Sequence, residues 1–368
     1  MPLQNAIRTR YAWLDMLAAK SQSIAKFDLK SKLSDEIYKA DGVAARNADA
    51  FNLANSEPHN TVIVDTLEVL LKKPGVSADM ITKFLTDLTS RNTYGTFSEL
   101  SAYAFLLKGG LPFDIQIPLT GADILNPNGS DIDGCLHLSE DVLFDVKGFG
   151  FQEYLVGQLA DRLSAEVAPE RVTIEDSWDV PIELLSDLSG KDYKPLKDEL
   201  IAKGTAQRGL LCFKKKARTQ VMIQARIVDP YLLAKENADY AFRYAKQFAR
   251  NKPFVLMFVI HPWFSGSLHV NFADSLNVFT RAFARRTFMQ FRSDQTQLFG
   301  LPKGAVSGLL SGIFFVDAYE GTDSHASPRY RFFLNPFATH KVSDLSSDRL
   351  QGAYNNDILI DALEHDAY

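Results

Sequence analysis

The residues that could do chemistry are concentrated in 130–148, Ser-Asp-Ile-Asp-Gly-Cys-Leu-His-Leu-Ser-Glu-Asp-Val-Leu-Phe-Asp-Val-Lys-Gly. In an extended chain, successive side chains point to opposite faces. Ile132, Leu136 and Leu138 then share one apolar face of a first strand, and Val142, Phe144 and Val146 one apolar face of a second. The opposite face gathers Asp131, Asp133, Cys135 and His137 with Leu143, Asp145 and Lys147. A three-residue loop at Ser139, Glu140 and Asp141 pairs Leu138 with Val142, Asp133 with Lys147 and Cys135 with Asp145, which keeps acids and lysine together. A two-residue loop would separate them unless a bulge at Gly134 restored the parity.

Carboxylates held this close repel, and each needs compensation once it is partly buried. A divalent ion such as Mg²⁺ supplies it, because it prefers hard carboxylate oxygens and keeps waters for chemistry. Such an ion polarises phosphoryl oxygens and lowers the pKa of water. Lys147, two residues after Asp145 and on the same face, can orient that water or offset developing charge. Uncatalysed phosphodiester hydrolysis is so slow that a catalyst must supply on the order of 20 kcal/mol. Metal, carboxylates and ammonium acting together are a source on that scale.

Asp133 followed by Asp145-Val146-Lys147 in an apolar hairpin, after a helix that bears Glu99, resembles the PD-(D/E)xK nuclease superfamily. That group includes many restriction endonucleases and several repair and recombination nucleases. The resemblance covers residues 97–176 and implies a restriction-endonuclease-like core: a helix with an acid, a meander carrying Asp and then (D/E)xK, a helix and a further strand. The family's Asp/Glu-x-Lys falls on Asp145 and Lys147, its preceding acid on Asp133 or Asp131 (Asp133 is preferred), and its helical acid on Glu99. Gln152 stands where some members carry a substrate-positioning glutamine. The family's proline is missing, since Ser130 precedes Asp131 and Ile132 precedes Asp133. The resemblance implies a Mg²⁺-dependent nuclease, with Mn²⁺ able to substitute. Its substrate would be nucleic acid, double-stranded DNA in preference, in restriction, phage defence or mobile-element processing, with a homo-oligomer or protein partner subunits compatible.

Each of these residues also has a plainer reading. Thr96-Phe97-Ser98-Glu99 fits a capping box, with Thr96 as N-cap. Asp131 and Asp133 follow a turn-rich Asn128-Gly129-Ser130. His137 reads as solvent-facing and Cys135 as a small packing residue. Lys214 and Lys215, with Lys216 and Arg218, form a basic run at a turn that could touch phosphate or simply be solvated. Arg281, Arg285 and Arg286 alternate with Phe279, Phe283 and Phe288, as in a phosphate-contacting helix or a surface helix with an aromatic inner side. Two rival functions follow: a non-catalytic nucleic-acid-binding or scaffold subunit that retains the nuclease fold, and a metal-dependent hydrolase of small phosphorylated molecules. The chain has no GxxxxGK[ST], GxGxxG, GxSxG or HExxH. Its seven histidines suggest no metal-like pair, and Cys135 and Cys212 no zinc cluster.

The elements that must position these residues read as a helical N-terminal region over 1–92, a nuclease-like domain over 93–340 and a C-terminal tail over 341–368. Helical spacing covers 11–32, 61–72, 97–108, 153–167, 231–251 and 275–292. Strand-like runs cover 115–119, 131–138, 142–149, 171–175, 209–215, 220–228, 254–260, 313–319 and 329–334. Such alternation predicts an α/β fold with a mixed central sheet flanked by helices. The charge is segregated. Residues 112–145 hold seven acids and no Lys or Arg, whereas 240–303 hold nine basic residues against Asp274 and Asp294. One region suits cations and the other anions. The longest apolar run, 254–260, is too short to span a bilayer, and no secretory signal is evident. A cytoplasmic protein without membrane contact is expected.

Overall fold

The computed structural model describes residues 10–27, 53–89, 93–149, 152–175, 182–209, 211–217, 229–261, 273–320 and 328–363. The chain divides into two compact units, one drawn from Met1–Gly148, Ala238–Ile260 and Phe283–Tyr368, the other from Phe149–Asn237 and His261–Ala282.

The first unit begins with helices α1 (Arg10–Ala19), α2 (Glu57–Leu71), α3 (Ala78–Leu88) and α4 (Thr93–Lys108). The Lys73-Pro74-Gly75 break falls just past α2, and the Ser77 side chain caps α3 by accepting from the Met80 N–H at 3.2 Å. Helix α4 starts at Thr93, so Thr96 is buried inside its first turns and the capping box expected at Thr96–Glu99 is not formed. Gly109-Gly110 then ends α4, Gly110 adopting φ +61°. A meander follows: β1 (Phe113–Leu119), β2 (Ser130–His137) and β3 (Asp141–Gly148).

The second unit contains α5 (Gln152–Glu166), β4 (Arg171–Glu175), α6 (Ile182–Ser189), α7 (Tyr193–Lys203), β5 (Thr205–Arg208), β6 (Leu211–Lys216) and α8 (Pro230–Glu236). Its sheet has the order β4-β6-β5 and rests on a core that includes Leu159, Leu163, Leu196 and Phe213. Both neighbours of β6 are antiparallel to it. The hairpin arm expected over 220–228 lies outside the described residues.

A single helix over 231–251 does not form. Helix α8 stops at Glu236, where the Asn237 side-chain amide donates to the Leu233 carbonyl at 2.9 Å, and Tyr240–Gln247 continues as a 3₁₀ segment. Then come β7 (Phe254–Ile260), α9 (Ala273–Met289), the short pair β8 (Gln297–Leu298) and β9 (Leu301–Pro302), α10 (Lys303–Leu309), β10 (Gly312–Asp317), β11 (Tyr330–Leu334), α11 (Asp344–Tyr354) and β12 (Ile358–Asp361).

The first unit's sheet is seven-stranded and mixed, in the order β1-β2-β3-β7-β10-β11-β12. Strands β3, β7 and β10 run parallel at its centre. All seven residues of β7 are buried, which suits its unbroken apolar sequence to a parallel strand covered on both faces. Arg171–Glu175, expected to complete the core after the meander, instead joins the small sheet of the second unit; its half-buried residues fit that setting. The parallel neighbour of β3 is β7, reached after an excursion of about a hundred residues.

The β2–β3 register differs from the expected one by two residues. His137 pairs with Asp141, Leu136 with Val142 and Cys135 with Leu143, around a loop of Leu138, Ser139 and Glu140. Parity is preserved, so Asp145 and Lys147 still share a face with Cys135. The loop is fixed by α11, from the segment read as a tail. Glu140 accepts from the Ser343 N–H at 2.9 Å, at the positive end of the helix dipole, and Arg349 donates to the Leu138 carbonyl at 3.0 Å.

Candidate functional site

Strand β3 carries Asp145 into the interior: it is 0% exposed, while Lys147 retains 21% of its side-chain surface. The Lys147 ammonium lies 2.6 Å from Asp145 Oδ2, and among the described residues neither Asp145 oxygen has a partner that meets full hydrogen-bond geometry. Lys147 also sits 5.4 Å above the Tyr244 ring, whose hydroxyl donates to Tyr240 at 3.1 Å.

Half-buried Asp133 stands beside them on β2. The ladder stops at Gly134–Phe144, and the next amide of β3, that of Val146, donates instead to Asp133 Oδ2 at 2.6 Å. From α4 the Tyr103 hydroxyl donates to the Asp133 carbonyl at 2.9 Å. Glu99, one helical turn before Tyr103, accepts from the Gln116 side chain at 3.4 Å. Gln116 is a strand residue with φ +52°, a left-handed conformation that is costly without glycine. Helix α4 approaches β3 so closely that a Cβ on Gly148 would lie 2.9 Å from Ser98 Oγ.

Electrostatics follow from that crowding. Burial, then the charge of Asp133, pushes Glu99 up to about 8. Burial pushes Asp145 up to about 8, against the pull of Lys147 and with the push of Asp133. Lys147 is penalised by burial, but Asp145 and Asp133 outweigh this and hold it above its ordinary value. The Asp133 and Asp145 carboxyls are close enough to share a proton. As two ionised acceptors they cannot bond to each other, so only a proton or a cation between them relieves the repulsion. Three acids and one lysine leave the cluster short of positive charge. This donor set, hard carboxylate oxygens crowded around one ammonium, fits a divalent ion.

The sequence-derived residues thus divide. Glu99, Asp133, Asp145 and Lys147 come within electrostatic reach of one another. Asp131 is exposed on β2 and shifts none of these groups. Gln152 begins α5 in the second unit. Lys214 and Lys215 lie at the end of strand β6, within the strand-like run expected over 209–215, and pair with Glu175 at 2.5 Å and Glu170 at 2.6 Å. Arg281, Arg285 and Arg286 are half-buried on α9, whose Phe279, Phe283 and Phe288 are fully buried. Tyr103, Gln116 and Tyr244 escaped the sequence reading, because nothing in their spacing links them to the hairpin.

A second group was also missed. Among the described residues, Cys135, His137 and Asp141 are the one set of three potential ligands whose donor atoms all lie within 4.8 Å. A cysteine and a histidine two apart on one strand, opposite an acid across the hairpin, was the available signal. No family model, curated protein or solved structure matches the chain.

Proposed function

We propose that the protein is a Mg²⁺-dependent nuclease that hydrolyses phosphodiester bonds of nucleic acid, DNA in preference, on a restriction-endonuclease-like core. The observation that carries this reading is Asp145: a fully buried carboxylate crowded by the Asp133 carboxyl and paired with the Lys147 ammonium at 2.6 Å. One ammonium serves three acids there, and an apolar residue in place of Asp145 would cost less to bury. Helix α4 with Glu99 and the β1–β3 meander agree with part of the frame that the resemblance implies, while the strand beside β3 is β7 and not Arg171–Glu175.

Asp145 and Asp133 would hold the ion, with Glu99 as the outlying acid. A divalent ion there would supply Lewis-acid polarisation of the scissile phosphate. Lys147 keeps its proton because Asp145 and Asp133 favour the charged form, and its partial exposure lets the ammonium reach an incoming phosphate. Tyr244 confines that ammonium from one side. Tyr103 fixes the Asp133 backbone, and Gln116 orients Glu99. Restriction, phage defence or mobile-element processing is the setting proposed, with double-stranded DNA as the partner.

Incubation with plasmid in Mg²⁺, Mn²⁺ or EDTA tests this. Cutting that requires metal and disappears in Asp145→Ala is the expected result. Binding without cutting under every condition would instead support a non-catalytic subunit in which Lys147 permanently neutralises Asp145.

A further inference from the structure

The loop end of the same hairpin carries a different set of donors. Cys135 and His137 are two apart on β2 and therefore share a face, and His137 pairs across the ladder with Asp141. Cys135 Sγ lies 3.9 Å from His137 Nδ1, and that nitrogen lies 2.8 Å from Asp141 Oδ1. The other ring nitrogen, Nε2, lies 3.0 Å from Asp114 Oδ2 on β1. The second oxygen of Asp141 is held by Lys252 at 2.8 Å.

We propose that Cys135, His137 and Asp141 form a transition-metal site suited to Zn²⁺, in which Asp114 orients His137 and Lys252 steadies Asp141. The site stands independently of the nuclease reading, since it shares no ligand with it.

Three arguments support it. The donor set is one thiol, one imidazole and one carboxylate, which suits a borderline ion and not Mg²⁺. Zinc bonds of about 2.0–2.3 Å in a tetrahedron put ligand atoms about 3.3–3.7 Å apart, and the observed 3.9 Å and 2.8 Å bracket that range. Adjustment of the half-exposed Asp141 side chain closes the difference. The imidazole is also arranged as a metal ligand requires, with one ring N–H donating to a carboxylate so that the lone pair of the other nitrogen points at the ion. Asp114 provides that carboxylate on Nε2, and Nδ1 faces both Cys135 and Asp141.

Three protein ligands leave one coordination position, and the cluster lines a cavity of about 280 Å³ with Asn251 and Lys252 on its wall. Without metal, His137 Nδ1 contacts Asp141 and Cys135 is 6% exposed. Binding requires a thiolate and a free Nδ1 lone pair, so the ion replaces protons held on these groups. Lys252 adds a positive charge beside the site and lowers its affinity.

Titration of the full-length reduced protein with Co²⁺ in excess Mg²⁺ tests the proposal. One Co²⁺ should bind with a thiolate-to-cobalt charge-transfer band, be displaced by Zn²⁺, and release protons. The band should vanish in Cys135→Ser and persist in Cys212→Ser. Asp114→Asn should weaken binding by about 10–100-fold. Absence of the band, or its loss in Cys212→Ser alone, overturns the site. X-ray absorption of the Zn²⁺-loaded native chain gives a check that needs no variant: one sulfur ligand supports the assignment, and none refutes it.

Discussion

At one end of the β2–β3 hairpin, Asp145 is sealed from solvent beside Asp133, with the Lys147 ammonium at 2.6 Å. At the other end, His137 and Asp141 keep 39% and 44% of their side-chain surface, and both ring nitrogens and both carboxylate oxygens have partners. The two clusters share a pair of strands, yet their needs are opposite. The buried cluster has one ammonium for three acids and gains from a further cation that enters. The exposed one already has its polar atoms partnered, so an ion must break the contact between His137 and Asp141 to enter. Burial of acids therefore marks the proposed catalytic end more firmly than the number of potential ligands does. The closer-packed set of donors is at the other end.

Substitutions at the buried end should have the largest effects. Asp145→Ala should lower Mg²⁺-dependent DNA cutting by about 10³-fold or more, measured as single-turnover plasmid cleavage. Lys147→Ala should cost about 10²-fold in the same assay while leaving Mn²⁺ binding in place. Equal cutting by wild type and either variant would remove the distinction between the two ends.

Gly134 joins the two clusters, standing between Asp133 and Cys135. A Cβ there would lie 2.3 Å from the Phe144 ring and 2.4 Å from the Asp114 carbonyl. Gly134→Ala should destabilise the fold by about 1–3 kcal/mol in urea unfolding and weaken Mn²⁺ and Co²⁺ binding together. Loss of only one would show that the ends are not mechanically coupled.

The pH dependence should sharpen the contrast further. Glu99 and Asp145 titrate near 8 in the folded protein, above the usual carboxylate range of about 4. A raised folded pKa favours the folded state at low pH, and that contribution is lost as pH rises through 8. In EDTA the melting temperature should therefore fall between pH 5 and pH 9. Mg²⁺ should restore it most at pH 9, where protons no longer compete. A flat profile without metal would deny that the acids are uncompensated. The smallest effect belongs to Asp131→Asn: an exposed substitution outside the cluster should change cutting by less than about twofold.

Much of this arrangement was legible in the residues. Period-two alternation placed Asp145 and Lys147 on one face, and the unbroken apolar run of β7 announced a buried strand. The α/β class and the mixed sheet followed from that alternation. The register was missed by two residues because parity alone cannot separate two loops of equal length. What fixes the loop is distant: Ser343 and Arg349 on α11, some two hundred residues away. The further strand of the core was misplaced for a related reason, since local pattern does not reveal that β4 belongs to another sheet. The long helix over 231–251 failed because helical spacing of apolar residues fits a broken segment equally well. Tyr103 and Gln116 act through contacts that no spacing rule encodes.

The most direct measurement counts Mn²⁺ bound to the protein by electron paramagnetic resonance at pH 9, with Zn²⁺ present to fill the Cys135 site. Wild type should take up Mn²⁺ in competition with Mg²⁺, and Asp145→Asn should take up none. Equal uptake by the two proteins, or none by wild type, would contradict the assignment of Asp145 as the floor of a divalent-cation site.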